Sequence, residues 1–303
     1  MLQRFKQFLV KVKSPSSISA LLPQLQNIRS KSDQLAMYGT PTKSHWLGIA
    51  NATESLFPNC SVPIPQSFSQ PILNKQETEI LLSAIAKAKF EKVIISGFAD
   101  YFFSYIDILH TSTSIEVIFH GTIAEFHEPA KQQLVKKIVQ CYRDKKIKRV
   151  GFIKQGLADV FSKLYGMDCY HCALPEPTIP KNIPRLNLDR NKIHIGVFGA
   201  DTFNKNLHNQ VIHALLIENA VVHVLDKSHF DYLGVSDRII EHGTNLTHDN
   251  FLSVLGSMDL NLYMSYSESW GLVAYESEAM GVPCLMPQTA DYLTAIKNAL
   301  HIK

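Results

Sequence analysis

The chain has 303 residues, 46% apolar and 19% charged, with a formal net charge of +3. That length accommodates two domains of ordinary size, the balance is that of a soluble globular protein, and so small a net charge does not by itself argue for nucleic acid as a partner. Five cysteines scattered through apolar runs suit a reduced cytoplasmic protein better than a disulfide scaffold, and no apolar run is long enough for a transmembrane helix.

Residues 1–13 place Leu2, Phe5, Leu9 and Val12 at helical spacing, with Arg4, Lys6, Lys11 and Lys13 and no acidic residue between them. The charges and the lack of a small-residue cleavage site argue against a signal peptide. A basic amphipathic helix of this kind can lie on an anionic membrane surface or dock on its own domain. Residues 1–35 are therefore set apart as a leader, with 24–34 read as helix end and loop.

From Ser44 onward short apolar runs alternate with helical patterns. Strands are expected at 46–50, 92–98, 115–119 and 149–153, and helices at 76–89, 129–143 and 156–165. His120-Gly121 closes the 115–119 strand, where a histidine is either structural or faces a ligand. Cys169 and Cys172 flank two residues but lack the second half of a zinc site, and they read as packing. Prolines 175, 177, 180 and 184 mark an extended linker.

The alternation then restarts, with strands expected at 193–198, 220–225, 238–241 and 260–264 and helices at 207–218 and 247–258. A further strand is expected at 284–286 and a last helix at 289–300. Strands alternating with helices in both halves predict two parallel, doubly wound sheets, in domains spanning 36–183 and 184–303. The loop after the 193–198 strand holds Gly199, which lets the backbone turn close to a ligand, and Lys205-Asn206, whose lysine can neutralise a diphosphate. An ordinary exposed lysine in a turn is the alternative. There is no Gly-x-Gly-x-x-Gly and no Gly-x-Ser-x-Gly, so a dinucleotide cofactor and a hydrolase triad are both disfavoured.

The most informative stretch is 263–283. A polar turn carrying Glu268 follows the strand, a helix begins at Gly271, and Glu276 follows Glu268 after seven intervening residues, before Gly281-Val282-Pro283 ends the helix. Open α/β sheets bind ligands at the carboxyl ends of their strands, and a helix N-terminus there suits a phosphate. At about 1.5 Å per residue, Glu276 lies roughly 7–8 Å up the helix from Gly271. Two carboxylates so spaced, with a phosphate between them, match the layout of a nucleotide-sugar. The alternative is a pair of solvated helix-face residues.

Glu268-Ser269-Trp270-Gly271-Leu272-Val273, Glu276 and Gly281-Val282-Pro283 resemble the Glu-x7-Glu pattern of retaining GT-B glycosyltransferases of the family 4 type. The resemblance covers the second half well and the first half by pattern. It implies an α/β GT-B architecture, two Rossmann-like doubly wound domains facing across a cleft. The implied activity moves a sugar from a nucleotide diphosphate-sugar to a glycan or lipid-linked acceptor hydroxyl, with retention, no bound metal and no cofactor beyond the donor.

The resemblance also implies site roles. Glu268 would contact the donor sugar, Glu276 the ribose hydroxyls, and Lys205 the leaving diphosphate. His120 would lie near the sugar. Gly199 and Asn206, together with Ser269, Trp270, Gly271, Leu272 and Val273, would line the donor site. Two departures stand out. Ala200 occupies the place of the family's arginine, and members of the family usually continue for several tens of residues past Gly-x-Pro. Both favour a second reading, a catalytically silent subunit that stabilises an active glycosyltransferase. The expected location is cytoplasmic, at the membrane surface if residues 1–13 bind it.

Overall fold

The computed structural model describes residues 18–40, 47–65, 73–175 and 179–287. The leader segment at 1–13 and the helix expected at 289–300 lie outside the described residues. Among the described residues no helix is long and apolar enough to cross a membrane.

The first sheet has six strands: β1 (Gln34–Gly39), β2 (Ser61–Ile64), β3 (Lys92–Ser96), β4 (Ser114–Phe119), β5 (Arg149–Phe152) and β6 (Cys169–His171). Their spatial order is β2-β1-β3-β4-β5-β6, with β1 parallel to β2 and β3, and β3 parallel to β4. Its strands read as near-continuous apolar runs, as is usual for strands of a parallel sheet buried on both faces. Leu35 to Tyr38, Val93 to Ile95 and Val117 to Ile118 are all buried. Interleaved with these strands are α1 (Ile18–Arg29), α2 (Leu47–Leu56), α3 (Lys75–Ala88), α4 (Phe102–Leu109), α5 (Pro129–Arg143) and α6 (Gln155–Tyr165). A capping box starts α3. Asn74 accepts from the Glu77 N–H, the Glu77 carboxylate accepts from the Asn74 N–H, and Lys89 in the left-handed region ends the helix.

The second sheet has five strands: β7 (Ile193–Val197), β8 (Ala220–Val224), β9 (Ile239–Glu241), β10 (Leu260–Leu262) and β11 (Cys284–Leu285). They run parallel throughout in the order β11-β10-β7-β8-β9. The chain builds outward from β7 to β9, then returns to the other side of β7 for β10. The carboxyl ends of β7 and β10 are thus neighbours at the point where the winding reverses, which is where a doubly wound sheet binds its ligand. The accompanying helices are α7 (Leu207–Leu215), α8 (His248–Leu255) and α9 (Leu272–Ala279). Leu207, Val211 and Ala214 pack with Val222 and Phe230 in one cluster, and Leu252, Leu255 and Met258 with Phe198 and Val282 in another.

A buried polar relay anchors α9. The Asn261 amide donates to the Leu255 carbonyl at 3.2 Å and to Ser277 Oγ at 2.7 Å, and Ser277 donates to the Val282 carbonyl at 3.0 Å. Gly196 on the neighbouring strand makes room for this relay, since a Cβ there would lie 2.1 Å from Asn261 Oδ1 and 2.3 Å from Phe198 Cε2.

Three imidazoles cross the same sheet. His194 Nε2 lies 2.9 Å from the Asp189 carbonyl, His194 Nδ1 2.9 Å from His223 Nε2, and His223 Nδ1 2.8 Å from His242 Nε2. A carbonyl only accepts, so His194 carries its proton on Nε2. His223 must then donate to His194, and His242 to His223. Burial, with neighbouring His242 and His194 adding to it, pushes the His223 imidazole down to about 3.

Several elements depart from the sequence pattern. The stretch read as a strand at 46–50 is helical from Leu47, with Ala50 and Thr53 buried on one face. A run that short is compatible with either period. The first strand instead falls at Gln34–Gly39, immediately after the 24–34 stretch read as helix end and loop, where no element was expected. Ile18–Arg29 buries Leu21, Leu25 and Ile28 and packs against α3. The first sheet ends at His171 and the second begins at Ile193, on either side of the proline-bearing stretch. Compactness divides the chain into Met1–Phe119 with Leu134–Gly151, and His120–Gln133 with Phe152–Lys303.

Candidate functional site

The loop after β7 runs from Gly199 into a short 3-10 turn, Phe203–Lys205, and then into α7. Asn206 at the junction adopts φ 53°, a left-handed conformation that asparagine tolerates better than most residues. Its side-chain amide donates to the Met264 carbonyl at 3.1 Å, and the Tyr266 N–H donates to the Asn204 carbonyl at 2.8 Å. Gln210 on α7 adds a third tie. Its amide donates to the Lys205 carbonyl at 2.7 Å and its carbonyl accepts the Met264 N–H at 2.8 Å. The loops after β7 and β10 are therefore one hydrogen-bonded unit.

Lys205 Nζ lies 2.6 Å from Glu268 Oε1 and 3.0 Å from the Tyr263 hydroxyl. Glu268 is 4% exposed. Burial works against the charged amine, but Tyr263 and the Glu268 carboxylate outweigh it and hold Lys205 above the usual lysine range. Burial chiefly pushes the Tyr263 phenol up, so it serves as a neutral hydroxyl. The empty space bordered by Phe198, Gly199, Lys205, Gln210 and Tyr263 measures about 160 Å³, including its open side.

Gly199 needs its glycine neither for a positive φ nor for space within the chain, because a Cβ there would meet its nearest neighbour, Lys205 Cβ, at an ordinary 3.6 Å. Gly271 does need it, with φ 91° at the start of α9. Gly271 at the cap position has no side chain to cap α9, and the first intrahelical bond in its opening turn is Tyr275 N–H to the Gly271 carbonyl at 3.2 Å. The preceding N–H groups, at Leu272 to Ala274, are the ones a helix start leaves to other partners. Trp270 is buried and its indole N–H finds no acceptor among the described residues, while Ser269, Leu272 and Val273 are half-buried.

Glu276, 7% exposed, meets His248 rather than solvent, with His248 Nε2 2.7 Å from Glu276 Oε1. The hydrogen bond to Glu276 holds the imidazole above its usual range, against a smaller opposing effect of burial. Sequence reading overlooked His248, Tyr263 and Gln210. His248 stands 28 residues from its partner, and only its place beside the Thr247 cap marked it at all.

His120 follows β4 in the other sheet, and burial pushes its imidazole down to about 3, so it is neutral near pH 7. Cys172 is buried and Cys169 half-buried. Burial pushes the Cys169 thiol up to about 11, unlike the depressed thiol of a reactive cysteine.

No protein-family model and no curated protein matches this chain. Solved structures do match it in fold. Anabaena HepE in complex with UDP and glucose aligns at 10% identity over 90% of this chain and 86% of that one, with a TM-score of 0.62. Sucrose-phosphate synthase from Thermosynechococcus elongatus aligns at 11% identity over 89% and 85%, TM-score 0.59. An E. coli trehalose-6-phosphate structure bound with UDP-2-fluoro glucose aligns at 11% over 89% and 88%, TM-score 0.53. The chain has the α/β GT-B fold of glycosyltransferases, with two Rossmann-like parallel sheets.

Proposed function

We propose that the protein is a glycosyltransferase that moves a sugar from a nucleotide diphosphate-sugar to an acceptor hydroxyl. The observation that carries this reading is the pair of carboxylates separated by seven intervening residues. Both are buried, one in the loop after β10 and one on α9, and each is engaged by a basic side chain from another element: Lys205 from the loop after β7 and His248 from the start of α8. Buried charges are costly unless paired, so a chain that keeps two of them beside an open helix N-terminus is equipped for a polar, anionic ligand. UDP is the first nucleotide to try, since HepE and the E. coli protein are each described with UDP or a UDP-sugar.

In this reading the acceptor oxygen bonds to the sugar C1 and the bond from C1 to the diphosphate oxygen breaks. Its electron pair stays on the diphosphate, which takes up the acceptor proton. Lys205, held as a cation, and the N–H groups at the start of α9 stabilise the charge that develops there. Glu268 hydrogen-bonds the donor sugar, Glu276 takes the ribose hydroxyls, and Gly199 and Asn206 shape the phosphate loop. His120, neutral, is assigned to the sugar side. Retention and independence from a metal belong to the proposal through the Glu-x7-Glu resemblance, as does a glycan or lipid-linked acceptor.

Ala200 in place of arginine, together with Lys205 already clasped by Glu268, favours one further reading: a catalytically silent subunit that stabilises or regulates an active glycosyltransferase. Calorimetric titration with UDP-sugars, followed by an assay for released UDP, separates the two. Transfer or slow donor hydrolysis supports the enzyme. Tight binding without either supports the silent subunit. The absence of binding to any nucleotide-sugar overturns the enzyme and favours the silent subunit.

A further inference from the structure

We infer that His248 is a positioning residue for Glu276, fixing one carboxylate oxygen so that the other is presented to the hydroxyls of a bound nucleotide. The inference rests on the donor-site reading above. Glu276 Oε1 is taken by His248 Nε2 at 2.7 Å, whereas Oε2 has no partner among the described residues. Two anchors hold the pair in register. Thr247 caps α8 by accepting from the Asn250 N–H, which sets His248 at the first helical position. Next to Glu276, Ser277 is tied to Asn261 of β10 at 2.7 Å, which sets the rotation of α9. A glutamate has three side-chain torsions, and one charge-assisted hydrogen bond removes most of that freedom before the ligand arrives.

His248 is half-exposed, its side chain 39% accessible, while the Glu276 side chain is 9% accessible. The ionisable groups facing the imidazole are Glu276 from α9 and Asp249 on its own helix, and both favour its protonated form. Ligand hydroxyls donating to Oε2 draw on the same carboxylate charge and weaken its hold on the imidazole proton. Binding then releases part of a proton, and affinity rises with pH across the His248 titration.

The test is calorimetry with UDP-, ADP-, GDP- and dTDP-glucose from pH 6 to 8.5. These diesters lack the terminal phosphate that titrates near pH 6. His248→Ala is expected to weaken the bound nucleotide-sugar by roughly tenfold, as is common when an orienting partner is removed. His248→Gln keeps a donor and should restore affinity to within about threefold, but with no dependence on pH. In a Glu276→Ala background, His248→Ala should have no further effect. If His248→Ala binds like the wild type with the same pH profile while Glu276→Ala binds weakly, the inference is wrong and the donor site stands. If Glu276→Ala also binds normally, or no nucleotide-sugar binds, the donor-site reading fails and takes this one with it. Matched melting temperatures for wild type and His248→Gln exclude a merely structural effect.

Discussion

In the six-stranded sheet the winding reverses between β1 and β3, and in the five-stranded sheet between β7 and β10. At the first reversal the described polar groups are spent on the fold. Thr40 Oγ1 donates to the Ile64 carbonyl at 2.7 Å, and Ser96 shares a 2.6 Å hydrogen bond with Thr53. At the second, Lys205 is engaged by Glu268 and Tyr263, and α9 begins at a glycine that offers no capping side chain. One topology thus supplies two similar places, and the residues delivered to each decide whether it holds charge. The second reversal carries buried ionic chemistry at a cost in stability that the first avoids.

The change that most directly breaks this contrast is Lys205→Met. It leaves Glu268 buried without its cation, and removing one partner of a buried pair typically costs about 3–5 kcal/mol. Urea unfolding should show a loss of that order, and sugar transfer should fall by about 10²–10³-fold if the lysine stabilises the leaving diphosphate. Gly196→Ala attacks the same sheet through packing. Its Cβ would strike Asn261 and Phe198, and overpacking of this kind costs about 1–3 kcal/mol. Gly156→Ala on α6 is the control, since nothing lies within 4 Å of its Cβ, and its unfolding midpoint should stay the same or rise slightly.

Acid should sharpen the difference further. Folded His223 stays neutral down to about 3, whereas an unfolded histidine takes its proton near 6.5. The unfolded chain therefore binds more protons between those values. Stability is complete above about pH 6.5 and falls toward pH 3, by up to about 1.4 kcal/mol per pH unit for this group. His223→Gln keeps a donor and an acceptor but does not titrate, so its plot of melting temperature against pH should be shallower. His120, also near 3, leaves a residual slope. The smallest effect is expected near the first reversal. Asp100→Asn removes an exposed 2.6 Å ion pair with Lys137 and should change unfolding free energy by no more than about 1 kcal/mol.

Much of the architecture was legible in the sequence. The strands at 92–96, 114–119, 149–152 and 193–197 and the helix at 129–143 follow from apolar runs and period alone, and their alternation implies parallel winding. The strand at 34–39 and the helix at 47–56 were not legible. Gln-Leu-Ala-Met-Tyr-Gly carries little β-branching, and a run as short as 46–50 does not distinguish a helix from a strand. Tertiary burial decided both.

The site divides in the same way. The sequence by itself determined the spacing of Glu268 and Glu276, the glycine that opens α9, and the loop lysine, because each depends on neighbours a few residues away. Only the tertiary structure decided what those groups meet. Lys205 reaches Glu268 across 63 residues and His248 reaches Glu276 across 28. Those meetings follow from the order in which parallel strands are laid down. A one-dimensional pattern records what each strand delivers to its carboxyl end, but not which ends become neighbours.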